Sequence, residues 1–162
     1  MNYHNITKDD MLNGDGLRVV LWVAGCTHQC KNCQNPITWD IAGGLPFDEE
    51  AENELFTALN RPHISGLTFS GGDPMHPFNR EEVFRLAKKA KELFPQKTVW
   101  LYSGFHWEDL KDIPEMKYID VLADGPFEHE KKDNNLPWVG SSNQRVIDVQ
   151  KSLNSNRVEL FV

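Results

Sequence analysis

Apolar and β-branched residues run almost without interruption from Leu17 through Arg18-Val19-Val20-Leu21-Trp22-Val23 to Ala24. This is the pattern of a strand buried on both faces in a parallel sheet, not of a strand with one wet side. After a Gly-Gly-Leu-Pro break at 43–46, Asp48 stands where it can cap a helix whose apolar positions Ala51, Leu55, Ala58 and Leu59 recur at helical spacing. The alternation then repeats. Residues 64–70 read as a second strand, and Asn79 as the cap of a longer helix with Val83, Leu86, Ala87, Ala90, Leu93 and Phe94 on one stripe. Residues 98–102 read as a third strand, 107–113 as a short helix and 119–124 as a fourth strand. Strands alternating with helices predict right-handed βαβ crossovers. Beyond Gly125 the periodicity weakens. The charged run 128–133 reads as solvated surface, 138–145 as a surface hairpin, and 145–149 and 157–162 as two further short strands.

About five or six strands are too few to close an eight-stranded barrel, which takes at least about 200 residues. The expected fold is therefore α/β, an open partial (βα) barrel of mostly parallel strands. With 162 residues, 40% of them hydrophobic, residues 1–162 suit a single domain with its own core. A net charge of −7 disfavours nucleic acid as a direct partner, because phosphate binding needs a clustered basic face. No apolar run approaches the roughly 20 residues that cross a bilayer, and the N-terminus lacks a basic-then-apolar leader. A cytoplasmic location is expected, where thiols stay reduced.

All three cysteines fall within Cys26-Thr27-His28-Gln29-Cys30-Lys31-Asn32-Cys33. Three thiolates on one short loop can converge on a single iron–sulfur cube and leave its fourth iron open, and an open coordination position marks a catalytic metal site. Structural zinc is the competing reading, with His28, His63 or His76 as fourth ligand, although the paired C-x-x-C spacing of such sites is missing. A disulfide framework fits worse, since an odd count leaves one thiol over.

The C-x3-C-x2-C spacing just after an apolar strand resembles the radical S-adenosylmethionine (SAM) superfamily. So does Ser70-Gly71-Gly72-Asp73-Pro74 after the next strand. Asn13-Gly14-Asp15-Gly16-Leu17-Arg18 and Gly140-Ser141-Ser142-Asn143-Gln144-Arg145 are similar to segments of the activating proteins of anaerobic ribonucleoside-triphosphate reductase. The resemblance implies a truncated radical SAM core. Cys26, Cys30 and Cys33 would hold a 4Fe-4S cluster that reductively cleaves SAM to a 5′-deoxyadenosyl radical. Its target would be a glycine of the reductase's large subunit, and its electron would come from a donor such as a flavodoxin. The resemblance also places Gly71 and Gly72 against the methionine amino group and the adenine near Asn32 and Gln34, which flank Cys33.

In βα folds the site lies at the C-terminal ends of the strands, so the cysteine loop, Gly71 to Pro74, Ser103-Gly104 and Asp124-Gly125 should share one mouth. Asp73 reads either as a ligand contact or as a cap on backbone amides. Ser103 and Asp124 can accept bonds from ribose hydroxyls or the methionine end, or can serve turn chemistry. His28 reads as a loop-surface or outer-shell residue in preference to an iron ligand. Arg18 and Arg145 read either as charges facing an acidic partner or a carboxylate, or as ordinary surface arginines. Two other functions remain open from the residues alone: a small radical SAM enzyme acting on a metabolite, such as a deazaguanine-type synthase, and a non-enzymatic zinc-binding adaptor.

Overall fold

The computed structural model describes residues 1–28 and 36–162. The long apolar run forms the strand Arg18–Val23 (β2), and it is not an edge strand. An N-terminal strand that the hydrophobic pattern does not announce, Asn2–Asp10 (β1), pairs antiparallel with it, with Ile6 opposite Leu21 and Asp10 opposite Arg18. The two-residue strand Leu45–Pro46 (β3) pairs in turn with the far side of β1. Next come Gly66–Gly71 (β4), Thr98–Tyr102 (β5), Val121–Asp124 (β6) and Arg145–Asp148 (β7). The sheet runs in the order β3-β1-β2-β4-β5-β6-β7. Its centre, β2-β4-β5-β6, is parallel, and both flanks are antiparallel. It is an open seven-stranded sheet with mixed α/β connections, as the alternating pattern predicted in outline.

Glu49–Leu59 (α1) and Arg80–Leu93 (α2) cross between the parallel strands. Side chains alternate across a strand, so Val19, Leu21, Val23, Leu67, Phe69, Val99 and Leu101 project to one face. There they meet Leu55, Phe56 and Leu59 of α1 and Val83, Leu86, Ala87 and Ala90 of α2 in the main core. On the opposite face Trp100, Val121 and Val146 form a smaller cluster. It is sealed by the rings of Trp138 and Phe161, at 5.0 and 5.2 Å from Trp100. The 138–145 stretch is therefore pinned to the sheet through Trp138, and Tyr102 reinforces the contact by donating its hydroxyl to the Trp138 carbonyl at 2.8 Å.

Some local expectations change. Asp48 does cap α1, accepting from the Ala51 amide at 2.9 Å. Asn79 makes no capping bond; its amide nitrogen donates instead to the carbonyls of Ala24 and Asp73. Leu93 drops out of the buried stripe of α2 and is 53% exposed. The helix starting at residue 107 ends early, as Trp107–Leu110 (α3) followed by a 3-10 turn over Pro114–Tyr118. After β7 the chain coils into Val149–Ser155 (α4), because the Asp148 side chain accepts from the Lys151 amide and opens a helix. Residues 157–162 form no strand, and only a single bridge joins Leu160 to Ile147.

Arg18 is not a surface residue. Fully buried at the start of β2, it donates to Thr68 Oγ1, Thr98 Oγ1 and the carbonyls of Asp15, Leu67 and Thr98. Burial lowers its pKa to about 10. The guanidinium thus stitches the N-terminal ends of three parallel strands together.

Candidate metal centre

Because β2, β4, β5 and β6 run parallel, their C-terminal ends open on one rim. Cys26 to His28, Gly71 to Pro74, Ser103-Gly104 and Asp124-Gly125 all leave the sheet there. The cysteine loop has a closed base, formed by the Gly25 amide on Thr38 O at 2.6 Å and the Cys26 amide on Trp39 O at 3.1 Å. Cys26 stands half-buried at the foot of that loop. Cys30, Cys33, Asn32 and Gln34 lie outside the described residues. Among the described residues no three His, Cys, Asp or Glu side chains gather closely enough to hold a metal ion. Three thiols are a fitting donor set for an iron–sulfur cluster, and the closed loop base holds the first of them at the strand ends, where such a group would sit.

The exit of β4 is locked onto the exit of β2. Gly71 sits at φ +108°, where a side chain is strained, and a Cβ there would come within 2.5 Å of Val23 O. A Cβ on Gly72 would lie 2.6 Å from Gly25 O and 2.7 Å from Thr38 O, the two feet of the cysteine loop. The amide of Gly72 donates to Val23 O at 2.9 Å and that of Asp73 to Gly25 O at 2.7 Å. The Gly-Gly pair is thus needed first for backbone against backbone.

Asp73 is the hub of the rim and is almost fully buried. Its Oδ1 accepts from the Met75 amide at 2.9 Å and the Ser103 hydroxyl at 2.8 Å. Its Oδ2 accepts from the Gly104 amide at 3.0 Å and faces His28 Nε2 at 2.6 Å. A carboxylate accepts about four hydrogen bonds, so this one is saturated. The hydrogen bond to Asp73 raises the pKa of His28, and partial burial opposes the rise. The imidazole lies edge-on to Phe105, with centroids 4.8 Å apart.

Further round the rim, Asp124 is fully buried and accepts from the Trp107 amide at 2.8 Å, from Arg145 Nε at 3.1 Å and from Arg145 Nη2 at 2.5 Å. Arg145 also donates to Glu108 at 2.8 Å, which holds the Glu108 carboxyl below its usual range. The sequence reading of Arg145 as a partner for a carboxylate is met within the chain itself. As folded, Asp73, Ser103 and Asp124 all point their acceptors at protein donors. His63 pairs with Asp9 before the start of β4, at the rim opposite Cys26, so it does not stand as a fourth metal ligand beside that thiol. His76 accepts from the Phe78 amide and stacks on that ring, while His106 closes a capping box with Asp109.

Sequence reasoning had no access to the union of His28 with Asp73, which are 45 residues apart, or to the strap from Asn79 to Ala24. The signals in the sequence were His28 among the cysteines and Asp73 beside the glycines, and nothing marked Asn79 as more than a helix cap.

Comparison with known proteins agrees with this frame. A family model described as a 4Fe-4S single cluster domain matches residues 12–147. The anaerobic ribonucleoside-triphosphate reductase-activating protein of Enterobacteria phage T4 is 44% identical over 146 residues, covering 90% of this chain and 93% of its own. The protein of the same name from Vibrio cholerae is 43% identical (89% of this chain, 96% of its own), and that of Escherichia coli K12 is 38% identical (90% and 97%). With the cysteine loop at the strand ends and likeness over nearly its whole length, the chain belongs to the family of anaerobic ribonucleoside-triphosphate reductase-activating proteins.

Proposed function

We propose that this protein generates the glycyl radical of an anaerobic ribonucleoside-triphosphate reductase. The observation that carries the reading is the near-complete coverage by relatives bearing that activating-protein name, joined to three thiols on one strand-end loop. Cys26, Cys30 and Cys33 would hold a 4Fe-4S cluster, whose chemistry when bound with SAM is one-electron reductive cleavage of the sulfonium to methionine and a 5′-deoxyadenosyl radical.

The chain's own residues bind and orient. Three thiolates leave one iron without a protein ligand, the position where SAM would dock. A methionine amino group is a donor. The amides of Gly72 and Asp73 are already engaged inside the fold, so the carbonyl edge of Gly71 and Gly72 is the part suited to receive it. Ser103 and Asp124 act through the loops they brace, and Asn32 and Gln34 are assigned to the adenine side. An open sheet suits a macromolecular substrate, a peptide loop carrying the target glycine. The electron would come from a flavodoxin-type donor, in the cytoplasm, where thiols stay reduced. No helix among the described residues is long and apolar enough to cross a membrane.

The test mixes the protein anaerobically with SAM, a reductant and its host's anaerobic reductase. A glycyl doublet in electron paramagnetic resonance is expected, absent with Cys30→Ala and absent when the partner's radical glycine is alanine. SAM cleavage without any radical on the reductase would overturn the assignment of the target.

A further inference from the structure

We propose that His28 is a positioning residue for the cluster: clamped by Asp73, it fixes the chain where it leaves Cys26. The inference rests on the reading that the three cysteines hold a 4Fe-4S cluster. His28 stands midway between two of those cysteines, and three contacts immobilise it. Its Nε2 faces Asp73 Oδ2 at 2.6 Å. Phe105 meets the ring edge-on at 4.8 Å. The third side of the slot exists only because residue 104 is glycine, since a Cβ there would lie 2.5 Å from His28 Cδ2.

The acceptor is as fixed as the ring. Asp73 is held by Met75, Ser103 and Gly104 and reaches into the exits of both β4 and β5. A carboxylate acceptor accepts only from an N–H, so Nε2 carries the proton in this pair. A short bond to a buried carboxylate is among the stronger side-chain hydrogen bonds, and it defines direction as well as distance. The cysteine loop is therefore tied to the neighbouring strand ends at its base by backbone and at His28 by side chain. Groups of this kind, one step removed from the ligands, typically change metal-site properties by about 10–100-fold when removed.

The experiment compares the whole chain, reconstituted anaerobically, as wild type, His28→Phe, His28→Gln and Gly104→Ala. Phe fills the slot without an N–H, Gln restores an N–H, and Gly104→Ala expels the ring without altering its chemistry. Two quantities are read: the rate of iron loss to a chelator, and the SAM concentration that half-converts the reduced cluster's paramagnetic resonance spectrum. His28→Phe and Gly104→Ala are expected to change at least one of these by about tenfold, with His28→Gln within about threefold of wild type. His28→Phe and Gly104→Ala both matching wild type, or His28→Gln as impaired as His28→Phe, overturns the proposal. A wild-type chain that takes up no iron–sulfur cluster sinks the reading beneath it instead.

Discussion

The Ser103 hydroxyl donates to Asp73 Oδ1 at 2.8 Å across 30 residues of sequence and at the same time accepts from the Phe105 amide at 3.0 Å. One serine thereby joins the exits of β4 and β5. Ser103→Ala should leave a buried carboxylate oxygen and a backbone amide each one partner short, lowering unfolding free energy by about 1–2 kcal/mol. Urea unfolding of the metal-free chain measures this, and an unchanged midpoint would count against the hub.

Gly72→Ala is the smallest probe of the contact between β4 and the loop base. Its methyl would press on Gly25 O and Thr38 O, backbone atoms that move only if the cysteine loop moves with them. Both a lower melting temperature and reduced iron uptake are expected. Loss of SAM affinity alone, with stability and iron intact, would show that the methyl meets ligand space and not the loop feet.

Arg18→Lys tests a buried charge with no carboxylate in hydrogen-bonding contact. A lysine carries three donors on a flexible stem and cannot reproduce a planar fork, so acceptors among Leu67 O, Thr98 O and Thr68 Oγ1 lose their partner. At about 1–3 kcal/mol per orphaned buried group, a loss of about 2–4 kcal/mol is expected. A loss below about 0.5 kcal/mol in denaturant melts would show that water replaces the fork.

Glu52 links the two crossover helices, pairing with Arg85 and, at 2.6 Å, with Lys89. The bond to Arg85 first, and that to Lys89 after the opposing effect of burial, lower its pKa when folded. A carboxyl depressed on folding stabilises above its unfolded value of about 4.3, and that stabilisation disappears as pH falls through the folded value. Glu52→Gln should therefore cost about 0.5–1 kcal/mol near neutrality, with the gap to wild type closing in acid below about pH 4. A gap that is independent of pH would assign the effect to packing.

The parallel core was readable because β2, β4, β5 and β6 are buried on both faces and so read as apolar runs. The N-terminal strand was not. Of its nine residues only Ile6 is buried, and its far side has just the two-residue β3 to cover it, so its sequence is that of an edge. The helix α4 was hidden because Val146-Ile147 leads into Val149 like a longer strand; Asp148 is the signal that ends it. At the site, the cysteines announce themselves by spacing alone, whereas the Asp73 hub depends on contacts across 30 and 45 residues that leave no local period. Arg18 showed the reverse problem, a charge whose burial no pattern of neighbours betrays.

The two backbone bonds that pinch the cysteine loop at Gly25 and Cys26 bear on the order in which the protein matures. Among the described residues the main core is built from the sheet and the crossover helices, with no contribution from cysteine, so its packing does not depend on inorganic material. Once the sheet has formed, the ends of the loop are already together, and the entropy of closing it, which grows as about (3/2)RT ln n, has been met by the strands. A cluster delivered later then meets a loop whose two feet are already joined. Small zinc modules behave in the opposite way, since their chain is unstructured until the ion arrives. Removal of a bound cluster should accordingly leave a scaffold that can be refilled.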